Sequence, residues 1–224
     1  MPSLKLYDHL LSFPLFQGLS RTELLQLAGN TKFGFMKHNG DAIIAREGTP
    51  CQQLFFLISG SLELTIQSDD GGYQLSEQLA APWMVQPEAL FGVRPRYSGT
   101  WRTACPCHLI TLSKDEVLRL LDDFLIIRLN LLNILSTQAQ RRAAHQWHSA
   151  PQTLRQRFQR FLLYRCTWPA GPKELRILMT RLAAELGDSR LDISHMLNQL
   201  QEERLLTLHR GRISIPSLEK LLQS

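Results

Sequence analysis

The chain of 224 residues is 44% hydrophobic and 20% charged, the balance of a globular protein with room for two domains rather than of a disordered one. No apolar run reaches about 18 residues, and the opening MPSLKLYDHLLSF lacks the basic region and small-residue cleavage site of a secretory signal, so the chain reads as cytoplasmic and not membrane-bound. Four cysteines (Cys51, Cys105, Cys107, Cys166) are too few and too irregular for a disulfide framework and lack the C-x2-C metal spacing.

The net charge of +5 is unevenly placed. Residues 137–224 carry 14 Lys/Arg against 7 Asp/Glu, whereas residues 1–136 carry 11 against 13. A basic excess confined to the C-terminal part suits the neutralisation of phosphates.

In chain order, LFQGLSRTELLQLAGN (15–30) predicts an amphipathic helix with Leu24, Leu25, Leu27 and Ala28 on its apolar side. Ser20 and Glu23 have the spacing of a capping box. Between 33 and 113 the pattern changes to short runs, AIIA, LFFLISG, SLELTIQ and HLITLS, separated by HNGD, REGTP, SGS and DDGG. Short strands with turns at such intervals predict an antiparallel β-roll of the jelly-roll or cupin kind.

Residues 114–148 contain no Gly or Pro and predict one long helix. FLIIRLNLLNIL (124–135) is apolar nearly all round, which predicts burial on two sides. Ile127, Leu131, Ile134, Gln138, Arg141 and His145 recur at the spacing of a coiled-coil seam, so the helix is expected to dimerise the chain.

Pro151 breaks the pattern. PQTLRQRFQRFLLYRC (151–166) predicts a helix with Leu154, Phe158, Phe161 and Leu162 inward, TWPAGP a loop, and ELRIL (174–178) a strand. LAAELGDSRLDISHMLNQLQ (182–201) then predicts two short helices with almost nothing between them. Gly187 supplies the positive φ that ends the first, and Ser189, three residues before Asp192, caps the second. In that second helix Ile193, Met196, Leu197 and Leu200 share one face. Leu191, His195 and Asn198 point the other way, with Arg190 and Ser194 at the edges. Small Ala183 allows the helices to cross closely. The pattern is that of a helix-turn-helix; a plain helical hairpin would also fit it, and the basic excess weighs against that. LLTLHRGRISIP (205–216) alternates around Arg210-Gly211 and predicts a β-hairpin, which makes the whole a winged helix.

These parts, in this order, resemble the Crp/Fnr family of bacterial transcription regulators over nearly the whole chain. The motifs that carry the resemblance are NGD, REG and ISG, with Gly40, Gly48 and Gly60, and LAAELGDSRLDISHMLNQLQEERLL, close to the family's L-A-x-x-L-G-x-S-R signature. The resemblance implies an α+β chain: an N-terminal β-roll effector domain (1–113), a long dimerisation helix (114–148) and a C-terminal winged helix-turn-helix (149–224). It also implies a homodimer on an inverted-repeat operator in double-stranded DNA, RNA polymerase as a partner, and a small-molecule effector of unknown identity.

Cyclic-AMP-binding members hold the ribose with a Gly-Glu pair and the cyclic phosphate with a downstream Arg-Ser pair. Here the corresponding positions are Pro87-Glu88 and Tyr97-Ser98, with Arg96 one residue out of register. A one-residue shift on a strand turns a side chain to the other face, so the phosphate would lose its charged partner. The candidate effector pocket is therefore Glu88, Arg96, Tyr97 and Ser98, with cyclic-nucleotide binding not expected.

No cofactor is expected. Cys105-Pro106-Cys107-His108 is the one reactive-looking stretch. Haem or redox sensing there is weighed against the packing of two small thiols on one strand face. His38 and His108 are too few for a cupin metal site, and His145, His148 and His195 suggest none.

On the DNA side, Arg190 is expected to read a base, guanine above all, from the start of the recognition helix. His195 and Asn198 add base or phosphate contacts, and Leu191 suits a thymine methyl. Ser189 and Ser194 complete that face. Arg181, Arg210 and Arg212 are phosphate candidates. A rival reading is a small-molecule-sensing module that acts through protein partners and keeps a vestigial winged helix. The charge split and the intact Gly187–Arg190 segment argue against it. No nucleophile–base set suggests an enzyme.

Overall fold

Local chemistry sets most element boundaries in the computed structural model, which describes residues 2–144 and 149–224. His145 and His148 lie outside the described residues. Helix α1 (Pro2–Leu11) leads through a 3-10 turn (Pro14–Phe16) to α2 (Arg21–Asn30). The capping box on α2 is present: Glu23 N–H donates to Ser20 Oγ at 3.3 Å, and Ser20 N–H donates back to Glu23 Oε2 at 2.8 Å. Leu24 and Leu27 are buried, while Leu25 faces outward.

The strands follow: β1 (Gly34–His38), β2 (Ile43–Ala45), β3 (Gln53–Ser59), β4 (Ser61–Gln67), β5 (Tyr73–Ala80), β6 (Trp83–Val85), β7 (Thr100–Thr103) and β8 (Cys107–Ser113). After them come α3 (Lys114–Asp123), α4 (Leu125–Ala144), α5 (Leu154–Arg165), β9 (Lys173–Ile177), α6 (Met179–Leu186), α7 (Arg190–Glu202), β10 (Thr207–His209), β11 (Arg212–Ile215) and α8 (Leu218–Gln223). An N-terminal antiparallel sheet region, a long helix and a C-terminal helix-turn-helix region make the expected α+β architecture.

The chain divides into two compact units that interleave in sequence. One is Met1–Leu62, Ala80–Ser98 and Arg102–Trp147; the other is Glu63–Leu79, Gly99–Trp101 and His148–Ser224. In the first unit an antiparallel sheet has the order β1-β8-β3-β6. Leu54 to Leu57 are all buried, so β3 is covered on both faces. Phe56 meets Phe13 at 5.1 Å and Phe16 at 5.5 Å between ring centroids, while Phe55 faces Tyr97 on the other side at 6.5 Å.

The long helix expected from 114 is broken at Phe124, whose backbone is extended (φ −126°, ψ 104°). No glycine or proline is needed, because a side chain satisfies the carbonyls left free by the break. Arg128 Nε donates to Leu121 O at 2.7 Å and its Nη2 to Asp122 O at 3.5 Å. The expected seam is corrected as well. Ile127 and Leu131 are buried within the chain itself, and Asn130 Nδ2 fastens the same side to Leu15 O (3.0 Å) and Gln17 O (2.8 Å). The apolar residues left facing out are Leu125 (64% exposed), Leu129 (45%) and Leu132 (54%).

In the second unit, β10, β11 and β9 form an antiparallel sheet that β5 extends, in the register Tyr73↔Ile177 to Glu77↔Lys173. Leu75 thereby enters a core built from Phe158, Leu162, Leu175, Leu182 and Leu197. Thr153 and Gln156 form a capping box on α5. Beside β5, Lys173 Nζ lies 3.2 Å from Glu77 Oε2, with both side chains fully buried. Glu77 also accepts from the N–H groups of Thr167 (2.6 Å) and Trp168 (3.2 Å), and Lys173 donates to Ala170 O at 2.8 Å. Removing one partner of such a pair strands the other in low dielectric, at a cost of about 3–5 kcal/mol. Lys173→Met should therefore lower the unfolding free energy by about that amount. Urea titration followed by tryptophan fluorescence checks it, and a loss below about 1 kcal/mol would show that the pair contributes no more than a surface ion pair.

Candidate nucleic-acid interface

The turn between α6 and α7 is built by three consecutive residues. Gly187 takes the left-handed conformation (φ +63°, ψ 46°) and donates its N–H to Ala183 O. Asp188 N–H bonds the same carbonyl at 3.1 Å, and its carboxylate works in two directions. Oδ1 accepts from Ser189 N–H at 2.8 Å, and Oδ2 pairs with Arg157 of α5. Ser189 then caps α7, accepting from Asp192 N–H at 3.1 Å and donating its hydroxyl to Asp192 Oδ2 at 2.6 Å. Asp192 thus reaches the hydroxyl of Ser189 rather than its amide, which Asp188 already holds. At the far end of α7, Arg155 grips Glu203 with two bonds of 2.9 and 2.7 Å.

With both ends fixed, α7 buries Ile193, Met196, Leu197 and Leu200. Arg190, Leu191, His195 and Asn198 are exposed on the opposite side, with Ser189 at the start and Ser194 half-buried at the edge. Arg190 makes no hydrogen bond or ion pair with any described residue, so its donors are free for a ligand.

The other cations are placed differently. Arg210 is exposed at the β10–β11 turn, where Gly211 has φ +70°. Arg212, next along, lies 3.6 Å from Glu174 Oε2, an oxygen pair that Arg176 shares at 2.8 Å. Arg181 is not presented with free donors. Its guanidinium bonds Asp70 and Glu185, each at 2.7 Å, and Arg165 joins Glu185 at 2.9 Å while donating to the Tyr73 hydroxyl at 2.6 Å.

The candidate effector residues lie around a 3-10 turn, Pro87–Ala89, entered by Gln86 at φ +35°. Gln86 Nε2 donates to Ser98 Oγ, and Ser98 N–H donates to Gln86 Oε1 at 3.2 Å. Tyr97 is buried, its hydroxyl donating to Gln53 O at 3.1 Å, and burial pushes its phenol well above the usual range. Arg96 is exposed and donates to Gly48 O at 2.6 Å. Glu88 is held by Arg142 at 3.3 Å. Among the described residues no group of three or more His, Cys, Asp or Glu could hold a metal ion, and no helix is long and apolar enough to cross a membrane.

Residues 36–124 match the family model of the cyclic nucleotide-binding domain, and residues 156–224 match that of the Crp-like helix-turn-helix domain. The chain belongs to the Crp/Fnr family. Its architecture is that of a DNA-binding transcription regulator. Solved Crp/Fnr-type structures share the fold. The catabolite activator protein of Thermus thermophilus is 19% identical with a TM-score of 0.51, covering 94% of this chain and 99% of that one. A Crp/Fnr-family transcriptional regulator from Eubacterium rectale is 22% identical with a TM-score of 0.54, covering 95% and 99%. The sensor domain of the transcriptional regulator DNR from Pseudomonas aeruginosa is 24% identical with a TM-score of 0.54, covering 66% and 98%. No curated protein matches the sequence.

Within this Crp/Fnr chain, Ser189, Arg190, Leu191, Ser194, His195 and Asn198 are brought onto one helix, and Arg210 and Arg212 onto one hairpin. Arg181 is held apart by its acids. Two contributors carry no motif that marks them. Asp188 occupies a variable position of the signature yet ties the turn to α5. Gln86, ahead of Pro87, occupies the Ser98 hydroxyl.

Proposed function

We propose that this chain represses or activates transcription as a homodimer bound to an inverted-repeat operator, with α7 in the major groove. The observation that carries this reading is the free guanidinium of Arg190 at the first residue of α7, on a face where Leu191, His195 and Asn198 are also exposed. Guanidinium at that end of a recognition helix can bond guanine N7 and O6 in parallel. Arg210 and Arg212 lie against the phosphate backbone beside it. RNA polymerase is the downstream partner.

Dimerisation runs through the outward face of α4. Leu125, Leu129 and Leu132 form an apolar stripe of the kind that monomers seldom leave in water. The cyclic-nucleotide site is not functional as such, and any effector is a different small molecule. Where the family pattern has an arginine for the phosphate, Tyr97 is buried and uncharged, and Ser98 is engaged by Gln86.

Selection from a random duplex pool should enrich an inverted repeat. Arg190→Ala should then weaken operator binding by about 2–6 kcal/mol, since both half-sites lose a bidentate contact worth roughly 1–3 kcal/mol each. Affinity for a scrambled duplex at the same salt should fall far less. Equal losses on both would make Arg190 a phosphate contact, and no loss on either would displace α7 from the groove.

Light scattering at micromolar concentration should give twice the chain mass, and Leu132→Glu should give the single-chain mass. A soluble wild-type monomer overturns the dimer. Millimolar cyclic AMP should leave the melting temperature unchanged, because a ligand that does not bind the folded state cannot stabilise it. A saturable rise of several degrees would show that a cation reaches the phosphate after all.

A further inference from the structure

Cys105-Pro106-Cys107 is a pair of nucleophiles that DNA binding does not use. Cys105 lies in the bend before β8, and only Cys107 belongs to the strand, so the expected sharing of one strand face is corrected. Pro106 fixes the backbone between them, and both thiols turn to one neighbour, Ser61. Cys105 Sγ accepts from Ser61 N–H at 3.2 Å and lies 3.4 Å from Ser61 Oγ. Cys107 Sγ donates to Ser61 O at 3.2 Å and to Cys105 O at 3.0 Å. Gly60 makes the close approach possible: at φ +93°, a Cβ there would lie 2.7 Å from Cys107 Sγ and 2.5 Å from Pro106 O.

The two thiols are not equivalent. Cys105 is half-buried, and the bonds from Ser61 hold its thiol below the usual cysteine range. Cys107 is fully buried, and burial pushes its thiol up. Cys51 is raised by burial too, and Cys166 is pushed up to about 12 for the same reason. Thiolate character and access decide which cysteine a peroxide oxidises. Of the four, Cys105 alone combines them.

We propose that Cys105 and Cys107 are a dithiol oxidised by hydroperoxides, with Cys105 as the attacking sulfur and Cys107 as the resolving one. The Cys105 thiolate attacks one peroxide oxygen. The O–O bond breaks, the other oxygen leaves as hydroxide from hydrogen peroxide or as alkoxide from an organic hydroperoxide, and Cys105 becomes a sulfenic acid. The Cys107 sulfur then displaces the sulfenic oxygen, which leaves as water with the Cys107 proton, and the S–S bond forms. For hydrogen peroxide, once the hydroxide takes up a proton, two thiols and one peroxide give one disulfide and two waters. A thiol reductant reverses the step.

The test treats the full chain with hydrogen peroxide, alkylates the denatured protein with iodoacetamide and maps peptides by mass spectrometry. The peptide holding both residues should appear lighter by two hydrogens and unalkylated, and dithiothreitol should restore it, while Cys51 and Cys166 stay alkylated. Cys107→Ser should lose the disulfide and trap the sulfenic acid of Cys105 as a dimedone adduct. Cys105→Ser should slow oxidation at this site on the order of tenfold or more. The proposal is overturned if the wild-type peptide stays fully alkylated, if Cys51 or Cys166 reacts as fast, or if the disulfide joins two chains.

Discussion

The grip of Asp188 on both sides of the turn is the constraint on which the DNA-facing surface depends. A glycine alone would let α6 stop, but it would not say where α7 goes next. One carboxylate oxygen of Asp188 holds the amide that opens α7, and the other holds Arg157 of α5. The second helix therefore starts at a fixed point on a third. The Ser189 cap satisfies a free amide of its first turn, and the Arg155–Glu203 fork secures the residue that ends it. The freedom of Arg190 has meaning only because everything around it is tied.

Charge is used in two separate ways in the same unit. Arg155, Arg157, Arg165 and Arg181 are spent on carboxylates, so much of the basic excess counted along the sequence is structural. Arg190 and Arg210 keep their donors for outside partners. A bare tally of arginines overstates the surface offered to phosphate, and an inspection of who faces whom corrects it.

What was legible in the sequence was local. Ser20 with Glu23, Gly187, Ser189 and the alternation around Arg210-Gly211 act on neighbours a few residues away, and each element formed where these signals placed it. What stayed hidden depended on partners distant in sequence. Phe124 breaks the long helix because Arg128 can reach back to free carbonyls, a choice that periodicity does not record. An all-round apolar helix does not disclose which stripe its own domain covers. The structure gives Ile127 and Leu131 to the interior and leaves Leu125, Leu129 and Leu132 outside. Arg181 carried no sign of Asp70, far upstream, nor Ser98 of Gln86.

The pairing of β5 with β9 has a consequence for where this protein can be cut. A fragment beginning near residue 149 would contain the whole helix-turn-helix and its wing, and by sequence it would look self-sufficient. It would lack β5, leaving the N–H and C=O groups along the free side of β9 open to another chain's strand. Leu75 would be missing from its core, and Lys173 would face that open edge without Glu77. The DNA-reading half is folded around a borrowed strand, so the recognition surface and the middle of the β-roll sequence must be inherited together.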